Sequence, residues 1–183
     1  MENKLSNIQL ENIQQILTLR YSKHLLDSNQ RLNYKNFKNL KIDTPENFIE
    51  TSITKTIAGE LDQNHKKVGI SLSSGIDSTL ILALLRREFP SIEIESISVK
   101  FSDSIDETEN SKKISEKFQT NHQILEIDNF LEELPKAISI VKQPFWDLHW
   151  YYLVKKMKNF TNIFFSGDGG DELFGGYTFR YKK

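Results

Sequence analysis

The order of apolar runs predicts an α/β fold, a doubly wound parallel sheet preceded by an N-terminal helical extension. Two observations carry this. Short apolar runs at Val68–Leu72, Ile92–Phe101, His122–Ile127 and Asn162–Phe165 alternate with stretches of helical periodicity, the pattern of strands joined by crossover helices. Two of those runs lead directly into loops of small and acidic residues, Ser73–Ser78 and Ser166–Tyr177. In open parallel sheets, ligands bind beyond the carboxyl ends of the strands, where both loops fall.

Residues 1–43 are rich in Asn, Gln and Lys; Ile8, Ile13, Ile16 and Leu17 suggest a helix, and Asn33–Asp43 reads as a connector. The main domain is expected at 44–183. Thr44-Pro45-Glu46 is a helix start, a cap hydroxyl followed by proline at the first helical position. Ile49, Ile53, Ile57 and Leu61 then form one apolar stripe. The first strand, Val68–Leu72, feeds loop Ser73–Ser78, and Thr79–Leu85 reads as a buried helix stopped by Pro90. Ile92, Ile94, Ile97, Val99 and Phe101 mark the second strand. Residues 106–118 suggest a polar helix whose thin apolar face is Ile114 and Phe118, and His122–Ile127 is the third strand. Phe130, Leu134, Ala137, Ile138 and Val141 give a helical stripe that meets Pro135. Trp146, Trp150, Leu153, Val154 and Met157 give another, before the fourth strand, Asn162–Phe165.

Composition narrows the function classes. Apolar residues make up 38% and charged residues 27%, with a net charge of −1, which gives no sign of a nucleic-acid surface. The absence of cysteine excludes disulfides, thiolate metal sites and thiol nucleophiles. No apolar run approaches ~20 residues, so no ordinary transmembrane helix is expected. The polar start Met1-Glu2-Asn3-Lys4-Leu5 argues against a signal peptide, and the cytoplasm is the expected location.

In the first loop, Ser73-Ser74-Gly75-Ile76-Asp77-Ser78, small residues and the free amides of a helix start suit a phosphate. Ser73, Ser74 and Ser78 add hydroxyls. Asp77 would repel a phosphate unless it binds Mg²⁺ that in turn binds the phosphates. The plain alternative is a helix cap. The loop has neither the Gly-Lys-Ser/Thr ending of a P-loop nor GxGxxG spacing. The second loop carries five glycines and three acids in Ser166–Tyr177. Gly167, Gly169 and Gly170 allow positive φ and close approach. Asp168, Asp171 and Glu172 repel one another unless a cation or donors intervene. EF-hand spacing is absent. The alternative here is a flexible surface turn, against which Leu173, Phe174 and Tyr177 read as anchored residues.

Together the loops resemble the synthetase domain of the asparagine synthetase family, within the N-type ATP pyrophosphatases (PP-loop, adenine nucleotide alpha hydrolase-like). Ser73–Ser78 resembles its Ser-Gly-Gly-x-Asp-Ser signature and Ser166–Tyr177 its Ser-Gly-Glu-Gly-x-Asp-Glu-Leu-Phe-Gly-Gly-Tyr signature. Ser96–Phe101, with Asp106-Glu107 after it, also resembles that family. The resemblance implies a ligase that adenylates the side-chain carboxylate of aspartate with ATP, releases pyrophosphate and lets ammonia attack. It implies that Leu72, Ser73, Ser74, Gly75, Asp77, Ser78, Val99, Ser166 and Gly167 bind ATP, Val99 beside the adenine, and that Asp77 and Asp171 hold Mg²⁺. Asp168 takes the position of the family's glutamate, linked to acyl-adenylate formation. Gly169, Gly170, Glu172 and Asp147 are further site candidates, Asp147 lying where relatives have a substrate-side loop. Ammonia would come from a glutaminase domain or a separate subunit; neither nucleic acid nor membrane is an expected partner. Readings that compete are a relative acting on another carboxylate and a nucleotide-binding module without catalysis.

Three departures from the family pattern matter. Ser74 replaces a glycine and fits only with negative φ. Asp168 is one methylene shorter than glutamate. The family continues past its second signature with a lysine-bearing helical region and usually begins with a glutaminase domain whose nucleophile is cysteine; this chain ends at Lys183 and has Glu2 at its start. A fragment, a truncated product or one piece of a split enzyme is the expectation. His24, His65, His122 and His149 are scattered and read as surface or packing residues. Trp146 and Trp150 read as core and Lys155-Lys156-Met157-Lys158 as a solvated helix face.

Overall fold

The computed structural model describes residues 14, 18, 35, 38, 41–61, 64–101, 108–129, 131–141 and 149–176. The chain forms two compact units, one of Met1–Ile42 with Asn129–Tyr151, the other of Asp43–Asp128 with Tyr152–Lys183. In chain order the elements are α1 (Pro45–Glu60), β1 (Lys67–Ser71), α2 (Ile76–Glu88), β2 (Glu93–Phe101), α3 (Thr108–Lys117), β3 (Asn121–Ile127), α4 (Leu134–Val141), α5 (His149–Met157), β4 (Phe164–Phe165) and α6 (Gly170–Phe174). In the first unit, Gln14 and Thr18 are helical, Ala137 of α4 is buried, and the Tyr151 hydroxyl donates to Glu133. The expected positions Ile8, Ile13, Ile16, Leu17, Phe130 and Trp146 lie outside the described residues.

The second unit contains the expected parallel sheet, ordered β3-β2-β1-β4. Lys67–Ser71 pairs with Glu93–Ile97, and Gly69 and Ile70 pair with Phe164 and Phe165. Successive side chains point to opposite faces of a strand. One face carries Val68, Ile70, Leu72 and Ile94, buried in a core with Ile57 and Leu61 around the end of α1, and Leu82, Leu84 and Leu85 of α2. On the other face Gly69 admits α5: a Cβ there would lie 2.6 Å from the Met157 sulfur. The sheet is therefore covered on both sides, as right-handed crossovers in two directions from β1 require. No helix among the described residues is long and apolar enough to cross a membrane.

Two local expectations need correction. Helix α1 starts at Pro45 as read, but Thr44 makes no side-chain cap bond; its carbonyl instead accepts from the Phe48 amide at 3.1 Å. The face that α3 buries is Thr108, Ser111 and Ser115, with Ile114 and Phe118 only partly buried against the core. Hydroxyl pairing with β2 adds to that apolar packing: the Ser98 and Ser111 oxygens are 2.9 Å apart.

Candidate nucleotide site

Strand β1 ends at Ser71, the Leu72 amide still bonds the Ile97 carbonyl at 2.9 Å, and the chain then turns through Ser73–Gly75 into α2. The turn is held by its own side chains. The Ser73 amide donates to the Ser78 hydroxyl at 3.2 Å, the Gly75 amide to the Ser73 hydroxyl at 3.1 Å, and the two hydroxyls lie 3.0 Å apart. Ser78 is buried, so its hydroxyl shapes the turn from inside. Gly75 is the residue before α2, with φ −76° and ψ 161° and no side-chain cap bond. Neither Asp77 nor a serine closes this helix start, and the amides of a first turn have no intrahelical partners. Gln119 is the sole non-glycine with positive φ among the described residues, so Ser74 meets the condition its substitution for glycine sets.

The second loop leaves β4, the parallel neighbour of β1, on the same rim. It lands directly on the first. A Cβ on Gly167 would stand 2.5 Å from the Ser78 amide nitrogen and 2.8 Å from the Asp77 carbonyl carbon; a Cβ on Gly170 would fall on the Asp77 carboxylate. The glycines thus have separate tasks. Gly169 (φ 92°) and Gly175 (φ 72°) take the left-handed conformation at the two ends of α6, while Gly167 and Gly170 make the close approaches. The carboxylate of Asp171, next to Gly170, turns toward Gly176. The exposed Asp168 has its amide 3.4 Å from the Ser166 hydroxyl. Val99, half-buried, extends β2 past the Ser71–Ile97 pair on the same rim.

The structure therefore gathers Leu72, Ser73, Ser74, Gly75, Asp77, Ser78, Ser166, Gly167 and Gly170 at adjacent strand ends, with Asp168, Gly169, Asp171 and Glu172 on the second loop. Asp147, with Phe145, lies outside the described residues, as do Asp106, Glu107 and Tyr177. The anchoring expected of Leu173 and Phe174 is not found: they are 79% and 57% exposed, and the close approach of α6 to α2 is made by Gly170 against Asp77. Sequence reading missed the buried hydroxyls behind the first loop, Ser96 and Ser98. Their one signal is the alternation Ser96-Ile97-Ser98 inside an apolar strand.

The family model described as asparagine synthase matches residues 49–183. The chain belongs to the asparagine synthase family. It is 34% identical over 115 residues to a provisionally named glutamine-hydrolysing asparagine synthetase 2 of Methanocaldococcus jannaschii, covering 60% of this chain and 22% of that protein. It is 29% identical over 115 residues to asparagine synthetase 1 of Bacillus subtilis, covering 60% of this chain and 18% of that one. The chain thus spans about a fifth of the length of these relatives. Among solved structures it resembles the glutamine-dependent NAD+ synthetase of Acinetobacter baumannii in complex with ADP (TM-score 0.52, 15% identity, 80% of this chain and 31% of that one). It also resembles an NMN synthetase from Francisella tularensis (TM-score 0.50, 15% identity, 74% and 59%). At that identity the likeness shows the fold, the PP-loop type of the asparagine synthase family.

Proposed function

We propose that this chain binds ATP in an amide-forming ligase of the asparagine synthetase type, activating the side-chain carboxylate of aspartate as an acyl-adenylate for attack by ammonia. In this reading residues 44–183 are the nucleotide-handling domain and residues 1–43 its helical extension, the enzyme is cytoplasmic, and a glutaminase domain or separate subunit supplies the ammonia. The observation that supports it most is the seating of the second loop on Asp77 and Ser78 through Gly167 and Gly170. Two loops from adjacent parallel strands then face one ligand at the rim.

Each residue has a task of orientation or charge. The first-turn amides of α2 and the small Ser73–Gly75 turn present donors to a phosphate chain. Ser166 and Gly167 bring unhindered backbone to the other side, and Val99 gives an apolar wall for the base, with Leu72 packed in the core behind the turn. Asp168 reaches from the second loop toward the reacting carboxyl. Orientation of two anions is the larger part of such catalysis. Mg²⁺ fits the chemistry of the donor set: Asp77 and Asp171 are hard carboxylates on the two loops, and the Asp77 carboxylate lies against Gly170, the residue before Asp171. When bound, the ion would neutralise phosphate charge.

Calorimetric titration of the full chain with Mg·ATP tests the reading, followed by pyrophosphate release with aspartate and ammonia. Aspartate-dependent release is the expected result. Release with a different carboxylate would move the chain to another substrate, and failure to bind Mg·ATP would overturn the assignment of the site.

A further inference from the structure

Behind the first loop lies a chain of buried hydroxyls and one imidazole that the ATP site does not use directly. The Thr120 and Ser96 hydroxyls lie 2.7 Å apart, Ser96 Oγ lies 2.9 Å from His122 Nδ1, His122 Nε2 lies 3.5 Å from Ser98 Oγ, and the Ser98 hydroxyl donates to the Leu72 carbonyl at 2.5 Å. Ser96 and Ser98 are buried. The chain ends on the last residue before the turn of the first loop.

Proton accounting gives this chain a direction. A carbonyl only accepts, so the single proton of Ser98 belongs to Leu72. Ser111, 2.9 Å from Ser98, has a proton of its own and a second acceptor in the Thr108 carbonyl at 3.0 Å. At 3.5 Å, Nε2 of His122 does not compete with the Leu72 carbonyl for the Ser98 proton. On the other side of the ring the Thr120 hydroxyl donates to Ser115 Oγ at 2.9 Å, which leaves Ser96 to donate to Thr120 and accept from Nδ1 of His122.

We propose that Ser98 is a positioning residue for the nucleotide loop, fixing the Leu72 carbonyl so that the turn presents its backbone to ATP. The proposal rests on the ATP-site reading for its functional consequence but not for its geometry. Ser98 touches neither reacting atoms nor nucleotide. It acts through Leu72, whose peptide bond carries the Ser73 amide.

The test uses the full chain and Mg·ATP as probe. Ser98→Ala should weaken Mg·ATP binding about tenfold, the loss of one buried hydrogen bond, and shift the Ser73 amide ¹⁵N resonance. Ser98→Thr, which keeps the hydroxyl, should restore both. Ser111→Ala removes a neighbouring hydroxyl of the same cluster without touching Leu72. It should lower stability and leave affinity and the Ser73 resonance unchanged. Equal loss of affinity in Ser98→Ala and Ser111→Ala would reduce Ser98 to a packing role. If the unaltered chain binds no Mg·ATP, the ATP site fails, while the Ser73 resonance still decides the positioning.

Discussion

Replacing Gly167 with alanine tests the contact on which the two loops depend. The added Cβ would lie 2.5 Å from the Ser78 amide nitrogen and 2.9 Å from its Cα. Both are backbone atoms of α2, which cannot swing aside as a side-chain tip would. Restoring an ordinary contact of roughly 3.5 Å requires the loops to separate by about 1 Å. Overpacking of this kind costs about 1–3 kcal/mol of stability, and a 1 Å displacement of positioned groups costs about a hundredfold in rate. Gly59→Ala provides the contrast: nothing lies within 4 Å of its Cβ position in α1, and a helical alanine should add up to ~1 kcal/mol. Urea denaturation measures the first effect, and calorimetric titration with Mg·ATP, then pyrophosphate release, the second. A Gly167→Ala chain with unaltered affinity and stability would show that the loops do not form one site.

Asp77→Ala and Asp171→Ala should each abolish Mg²⁺-dependent ATP binding with the circular dichroism spectrum unchanged; unaltered affinity in both would remove their assigned role. Burial first, and the charge of Lys112 second, hold the pKa of His122 below its ordinary value of 6.5. The unfolded chain therefore takes up this proton first as pH falls, so the contribution of His122 to stability is complete above about pH 6.5. It is lost as pH drops through the lower folded value. Melting temperatures of the unaltered chain and His122→Gln should converge on acidification, and parallel curves would contradict the assignment. Arg86 donates to the carbonyls of Pro90, Ile92, Phe118 and Gln119, so Arg86→Ala should cost about 2–3 kcal/mol in urea denaturation; a change within error would show that water replaces it.

Much of this was legible in the sequence because it depends on local pattern. The apolar runs around Val68, Ile94 and Phe165 became strands, and the Ile53–Ile57–Leu61 stripe became a core face, since periodicity reports burial. Both loops were legible for the same reason: small and acidic residues directly after apolar runs have few other uses. What the pattern could not carry was pairing. Nothing in Phe164-Phe165 says that its neighbour is β1, and it is that neighbour which brings Gly167 onto Ser78. Nor does glycine declare which of its two properties is in use: Gly169 is there for its φ, Gly167 and Gly170 for the missing side chain. The burial of Ser111 and Ser115 was invisible because serine reads as surface until another hydroxyl meets it.

The approach of Asp77 and the second loop depends on the shortest strand of the sheet. The chain leaves β1 toward β2 and β3, and β4 returns to the opposite side of β1, so the strand order reverses between β1 and β4, where open sheets have their crevice. With only two residues, β4 has little pairing of its own. The Gly69 amide bonds the Ile163 carbonyl at 2.8 Å, the Thr161 hydroxyl bonds the Lys67 carbonyl at 3.1 Å, and Met157 and Phe164 close over Gly69. Gly69→Ala therefore perturbs the site without touching either loop. Its Cβ would meet Met157 Sδ at 2.6 Å and Phe164 Cδ2 at 2.9 Å, displacing β4 and with it Ser166 and Gly167. Mg·ATP affinity should fall along with stability. Met157→Val, by shortening the side chain that the new methyl strikes, should return part of both in the double variant, a coupling expected only between residues in contact. Additive losses would mean that Met157 does not transmit the strain, and a Gly69→Ala chain of undiminished affinity would mean that β4 does not set the distance between the loops.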